Sequence, residues 1–132
     1  MTSTVDRFTG AVPRPGDPGC AAAVTGQNLA VVHQPALVVE ARDAADLAVA
    51  VRYAAAEGPG VAVQSTGHGA RRPVGGDTLL LRTAALDAVL VDPGARTATL
   101  GAASPPAAWS RPACRTAWPR SPAPRRRSAS SG

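Results

Sequence analysis

PALVVEARDAADLAVAVRYAAAEGPGVAVQSTGHGA, residues 35–70, is the stretch whose reading decides the fold. Ala36 to Ala41 is a short apolar run placed just after Pro35, and its Leu37, Val38 and Val39 predict a strand. Asp43 then offers an N-cap oxygen, and Asp46 sets a second carboxylate in the first turn, against the positive end of a helix dipole. A helix is expected from there to about Glu57, with Leu47, Ala50, Val51 and Ala54 forming one apolar stripe. Gly58 and Pro59 end it. Val61 and Val63 alternate with smaller or polar neighbours, which predicts a second strand over Gly60 to Gln64. Strand, helix and strand within about 30 residues make a βαβ unit with parallel strands.

Downstream, Thr78 to Arg82 reads as a strand. Val89 to Val91 and Thr97 to Leu100 flank Asp92-Pro93-Gly94-Ala95, a turn sequence suited to a hairpin. Upstream, Pro13, Pro15 and Pro18 are spaced so that no helix or inner strand is expected to run through them. The expected class is therefore α+β: an irregular segment over 1–35, a mixed domain over 36–101 built from a βαβ unit and a hairpin, and a tail over 102–132.

Composition bounds the function. The chain has 132 residues, and among its aromatic residues are only 2 Trp, 1 Tyr and 1 Phe, so an ordinary apolar fraction made mostly of Ala and Val yields a small core. The net charge of +5 suggests a nucleic-acid partner until it is located. Residues 1–101 hold 8 Arg against 9 acidic residues, while Arg111, Arg115, Arg120, Arg125, Arg126 and Arg127 lie in a tail with no acid. The basic character belongs to the tail, which argues against nucleic-acid binding by the domain. Cys20 and Cys114 have neither disulfide-framework nor zinc spacing and read as free thiols in a reducing compartment. No stretch approaches the roughly 20 apolar residues of a membrane span, and residues 1–10 lack the order of a signal peptide, so a cytoplasmic protein with no membrane partner is expected.

The chemistry concentrates in Gln64, Ser65, Thr66, Gly67, His68, Gly69 and Ala70, which follow the second strand where open α/β sheets bind ligands. Gly67 and Gly69 lack Cβ atoms, so backbone N–H groups here can approach an anion such as a diphosphate; Ser65 and Thr66 add hydroxyls, and His68 faces whatever the loop holds. On these seven residues alone, a tight Gly-containing turn with a solvated His is an equal reading. The loop has neither the Gly-Lys-Ser/Thr of a Walker motif nor the spacing of a dinucleotide fingerprint. His33 is the only other histidine and no carboxylate or thiol cluster accompanies it, so no metal is expected. His33 itself reads as a turn or surface residue, Asp77 as a turn residue with a place near a ligand loop as its alternative, and Arg71 and Arg72 as solvated charges before phosphate ligands.

A longer pattern surrounds this loop: Asn28-Leu29-Ala30, His33-Gln34-Pro35-Ala36, Val38-Val39, Arg42-Asp43-Ala44-Ala45-Asp46, Val51-Arg52-Tyr53-Ala54, Val61-Ala62-Val63, Thr66-Gly67-His68-Gly69, Leu86-Asp87-Ala88-Val89, Val91-Asp92-Pro93 and Arg96-Thr97-Ala98. In order and spacing it resembles the opening of the berberine bridge enzyme-like FAD-linked oxidases, in the vanillyl-alcohol oxidase or p-cresol methylhydroxylase (PCMH) superfamily. The resemblance implies the amino-terminal part of a PCMH-type FAD-binding domain, with FAD as cofactor and residues 64–70 on its diphosphate. It also implies a histidine, here His68, able to join the flavin 8α carbon by attacking an electron-poor flavin tautomer, which anchors the cofactor and raises its potential. Many relatives carry Gly-Gly-His where this chain has Thr66-Gly67-His68. The implied activity is oxidation of an alcohol, an amine or a related small molecule with electrons passed to oxygen. No catalytic base is assignable, and the chain is expected to be inactive for want of a substrate domain.

The resemblance is expected to end near Gly101, where the chain turns to Ala-Ser-Pro-Pro and an Arg/Pro/Ser-rich run. A one-base slip in reading frame accounts for the break. Back-translating Cys114 to Arg126 with G/C-rich third positions yields, in another frame, Pro-His-Gly-Leu-Ala-Pro-Leu-Ser-Gly-Ser-Ser-Pro, which resembles the family's continuation. Composition predicts disorder for this tail. The alternative function is a small non-enzymatic α/β module whose basic tail binds nucleic acid, with Trp109 and Trp118 stacking on bases.

Overall fold

The structure, a computed structural model, describes residues 4–14 and 16–105. A 3-10 helix over Thr4–Arg7 leads to α1 (Pro18–Val24), β1 (Leu37–Glu40), α2 (Ala44–Glu57), β2 (Gly60–Gln64), β3 (Thr78–Arg82), β4 (Val89–Asp92) and β5 (Thr97–Leu100). Two sheets result, one of order β1-β3-β2 with every pair parallel, the other the antiparallel pair β4-β5. The α+β class and the βαβ-plus-hairpin plan hold. The strands of the βαβ unit are parallel but not adjacent, because β3 inserts between them. Leu79, Leu80 and Leu81 show why: all three are buried, as a central strand covered on both faces requires.

The alternation of strand side chains divides the core. Val39, Leu79 and Leu81 pack on one face with Ala50 of α2, joined by Leu37, Leu47 and Tyr53. Val38 and Leu80 pack on the other with Ala23 of α1, joined by Val24, Ala62 and Val74. The helices thus cover opposite faces of a three-stranded sheet, with small residues where helix and sheet meet.

Helix α2 begins as its caps predict. The Asp43 side chain accepts the N–H of Asp46 at 2.9 Å, and Gly58 closes the other end in the left-handed region at φ 93°, its N–H donating to Ala54 O. The stripe differs at one position: Val51 is 56% exposed, and Tyr53 takes the inward place. Asp46 is more than a dipole partner. It is 1% exposed, and its carboxylate accepts the N–H groups of Thr9, Gly10 and Arg42 and the Thr9 hydroxyl at 2.8–3.0 Å. Burial acts to raise its pKa, but these hydrogen bonds outweigh it and hold the carboxyl below the usual range.

The first 35 residues are more ordered than their prolines suggest. Pro18 stands at the start of α1, where a missing N–H costs nothing and its fixed φ favours the helix. Ala11 forms an isolated antiparallel bridge with Glu40, and α1 packs on the sheet through Ala23, so this segment belongs to the same packed unit. At the other end, residues 101–104 fold back on the hairpin: Gly101 N–H donates to Ala88 O, Ala103 N–H to Leu86 O, and the Ser104 hydroxyl to Ala88 O. The frame-slip, disorder and nucleic-acid readings concern the tail over 102–132; within it Ala103 and Ser104 carry the hydrogen bonds just given, while residues 106–132, Cys114 among them, lie outside the described residues. Among the described residues, no helix is long and apolar enough to cross a membrane, and Cys20 is a free thiol.

Candidate functional site

The register places Glu40, Arg82 and Gln64 side by side, so β1, β3 and β2 end at one carboxyl edge. The loop 64–70 springs from that edge, directly after β2. Thr83 N–H donates to Gln64 O at 3.0 Å, extending the ladder one residue beyond the paired strands before the chain turns away.

Within the loop, Gly67 has φ 74°, a conformation that a side chain rarely tolerates, and Ala70 N–H donates to Gly67 O at 3.2 Å to close the turn. Glycine is needed here for space as well. A Cβ on Gly67 would lie 2.7 Å from Gly26 Cα and 3.0 Å from the Gln64 side chain. Gly26 and Gly67 thus meet back to back. Beside them Gln27 N–H donates to Thr66 O and the Asn28 side chain donates to Ala70 O, both at 2.8 Å. The segment 26–28 is a floor beneath the loop, which sequence reading missed; a glycine followed two residues later by an asparagine was its only local signal.

His68 is exposed. Its Nδ1 lies 2.6 Å from the Thr66 hydroxyl, which also accepts the His68 backbone N–H at 3.5 Å. No positive-φ strain is present at Gly69, and a Cβ there would enter open space. The two glycines therefore differ in role: Gly67 is fixed by the fold, Gly69 only leaves room above the loop.

All seven loop residues line a cavity of about 350 Å³, on the sheet face that carries Ala62 and Leu80, with His33, Arg72 and Val74 completing the wall. His33 is the main correction to the sequence reading. It is 5% exposed, not a surface or turn residue. Its Nδ1 accepts the N–H of Val74 at 3.0 Å while Gln34 N–H donates to Val74 O at 2.8 Å, so residues 33–34 and Val74 are tied both ways. An accepting Nδ1 leaves Nε2 as the protonated nitrogen of the neutral ring. That Nε2 and the Gln64 side-chain nitrogen are buried and, among the described residues, have no partner. Two orphaned donors in the wall of one cavity, below a glycine turn, suit a ligand rich in acceptor oxygens.

The remaining candidates separate. Arg71 and Arg72 are both exposed, and Arg72 alone reaches the cavity wall. Asp77 sits at the opposite, amino edge of the sheet, where its carbonyl accepts Gly60 N–H and its side chain accepts the Thr78 hydroxyl, so it is a turn residue remote from the loop. Among the described residues no group of three or more His, Cys, Asp or Glu side chains is arranged to hold a metal ion. A second cavity of about 570 Å³ opens at the same carboxyl edge between Thr9–Ala11, Glu40–Arg42 and Arg82.

Comparison with known proteins bears on the fold and the family. In solved structures the fold matches 6-hydroxy-D-nicotine oxidase from Arthrobacter nicotinovorans with a TM-score of 0.70 and 25% identity, over 83% of this chain and 24% of that one. It also matches a xylooligosaccharide oxidase from Myceliophthora thermophila (TM-score 0.60, 19% identity, 72% of this chain and 21% of that one). A third match is CrmK, a flavoenzyme of caerulomycin biosynthesis (0.64, 20%, 72% and 20%). The two matches below 25% identity speak to fold alone. The chain spans a fifth to a quarter of the length of these proteins. No curated protein matches it. The sequence signature of the FAD binding domain matches residues 35–111, running past Gly101 where the resemblance was expected to end. With that match over more than half of its 132 residues, the chain belongs to the FAD binding domain family.

Proposed function

We infer that this chain supplies the diphosphate-binding part of a flavin-linked oxidoreductase, and that Gln64, Ser65, Thr66, Gly67, His68, Gly69 and Ala70 are its cofactor contacts. The observation that carries this reading is the cavity at the carboxyl edge of three parallel strands, walled by that loop, with the glycine turn above two unpartnered donors. The residues fit FAD. Its diphosphate would bring acceptor oxygens to the space that Gly69 leaves open above the loop, and Arg72 stands in the cavity wall to offset negative charge. The flavin ring supplies the redox chemistry when bound, taking a hydride from an alcohol, an amine or a related carbon and passing two electrons to dioxygen.

The protein's own contribution here is binding and orientation. That His68 is exposed and lines the cavity supports its role as the residue that meets the flavin. In the finer, berberine bridge enzyme-like reading, a ring nitrogen of His68 bonds to the flavin 8α carbon. Such a bond would replace one C–H of the methyl group and the ring N–H, with the two protons and two electrons passing to dioxygen. The domain limits 36–101, the expected inactivity of the chain by itself, a small-molecule substrate and a cytoplasmic setting belong to the same proposal.

Incubating the chain with FAD, removing free cofactor and recording flavin absorbance before and after acid precipitation tests it. Retained flavin is expected in the parent chain, and His68→Ala is expected to lose whatever flavin survives precipitation. A parent chain that retains no flavin overturns the cofactor reading; equal acid-stable flavin in His68→Ala overturns the bond.

A further inference from the structure

We propose that the outer edge of β2 is an interface at which two copies of this chain join, antiparallel, into one continuous sheet. The inference goes beyond the cofactor reading and does not use it. The order β1-β3-β2 leaves two edges. The β1 edge is partly closed, since Ala11 bridges Glu40 and accepts its N–H at 2.8 Å. The β2 edge has no such cover among the described residues. Hydrogen bonding fixes which groups it presents. Gly60 N–H donates to Asp77 O and Gln64 O accepts from Thr83 N–H, so Gly60, Ala62 and Gln64 turn their backbone groups toward β3. The N–H and C=O of Val61 and Val63 therefore point outward. The same two residues expose apolar side chains, Val61 at 42% and Val63 at 66%. Natural sheets blunt such an edge with a charge, a proline or a bulge. Here Gly60–Gln64 contains neither charge nor proline, and its register with β3 runs unbroken.

Register and charge select a second copy as the occupant. A two-fold axis beside Ala62, normal to the sheet, sets Val61 opposite the partner's Val63 and Val63 opposite the partner's Val61. Both become hydrogen-bonded pairs of an antiparallel ladder, so every outward backbone group of these residues gains a partner. Such an axis keeps the faces of the sheet, so the valines of both copies meet on one face while Ala62 meets its own counterpart on the other. Charge agrees with this direction. Around the amino end of β2, residues 57–60 and 75–78 hold Glu57 and Asp77 and no base; beyond its carboxyl end, residues 64–72 hold Arg71 and Arg72 and no acid. All four charged residues are exposed. Antiparallel pairing lays each acidic end beside the partner's basic end, whereas a parallel neighbour would bring like charges together.

Sedimentation equilibrium of the full chain from micromolar to millimolar concentration, with amide exchange followed residue by residue, tests this. A small edge interface gives a weak, reversible dimer, and the Val61 and Val63 amides should gain protection as it fills. Val61→Lys and Val63→Glu, each alone, should weaken dimerisation roughly three- to thirtyfold, because a symmetric pair takes each change twice. Mixed in equal amounts, these two variants should pair again, since the register sets the introduced lysine opposite the introduced glutamate. Val63→Lys mixed with Val63→Glu sets neither opposite the other and should recover less. Both valines are exposed, so the variants keep the fold, which an unchanged melting curve at a dilution where the parent is monomeric verifies. A chain that stays monomeric over the whole range overturns the proposal. So does a dimer whose newly protected amides lie on β5 or elsewhere, or a mixture of Val61→Lys and Val63→Glu that pairs no better than either alone. Val61 and Val63 amides already protected in the dilute monomer also overturn it, because another segment of the same chain then covers the edge.

Discussion

Replacing Gly67 with alanine separates the fold's demand on the loop from the ligand's. At φ 74° the new side chain stands in the left-handed region, which costs about 1–2 kcal/mol for a residue with a Cβ. Its Cβ would also sit 2.7 Å from Gly26 Cα, a backbone atom that cannot swing aside, and 3.0 Å from the Gln64 side chain. Relieving that contact means pushing the 26–28 segment away from the loop, worth a further ~1–2 kcal/mol on the scale of an overpacked site. A total of about 2–4 kcal/mol, in a small domain where each kcal/mol moves the midpoint by about 4–8 °C, predicts a fall in Tm of roughly 10–30 °C. Gly69→Ala is the control. Its Cβ meets nothing within 4 Å, so Tm should stay within about 3 °C, yet the methyl stands where the cofactor is proposed to lie and should lower flavin retention. Calorimetry or circular dichroism measures the first effect and flavin absorbance the second. The reasoning fails if Gly67→Ala melts with the parent chain, or if Gly69→Ala is destabilised as much as Gly67→Ala.

Other expectations follow from the packing. Asp46→Asn turns one of two acceptor oxygens into a donor facing the N–H groups of Thr9, Gly10 or Arg42, and should cost about 2–3 kcal/mol near neutral pH, measured by urea denaturation. Because the folded pKa of Asp46 lies below its ordinary 3.8, the stability it contributes is complete above that value and is lost as pH falls through the folded pKa; the gap between parent and variant should therefore close in acid, and a gap independent of pH would refute the assignment. Leu80→Ala removes a fully buried side chain from between Ala23 and Val38 and should cost about 2–5 kcal/mol in the same assay. Val63→Thr, on an exposed position of the edge strand β2, should change stability by less than about 0.5 kcal/mol.

The elements that could be read from the sequence were those whose signal is local. Asp43 and Gly58 bracket α2 because capping acts within a turn, and the hairpin announced itself through Asp92-Pro93-Gly94. The seven-residue loop was found at the expected strand end, since glycines around a histidine stand out in any context. What escaped depended on contacts distant in the chain. The central place of β3 is set by which strand is covered on both faces, and only the unbroken run Leu79-Leu80-Leu81 hinted at it. His33 looked like a turn residue beside Gln34-Pro35, but its bond to Val74 lies 41 positions away and draws it inside. Pro18 was weighed as a breaker when its position at a helix start makes it a starter. Val51 fits the helical period and is still exposed, with Tyr53 packed against the core instead, a choice that the period alone does not make.

The floor under the loop changes how this domain should be divided. The residues matched to the family begin at 35, whereas Gly26, Gln27 and Asn28, which grip the turn from beneath, precede that boundary. An expression fragment cut to the homology limit would keep every proposed ligand contact and lose the foundation that gives them their shape. Grafting the turn onto another scaffold would meet the same difficulty, for the motif is two short peptides clasped together, and neither half carries the geometry alone.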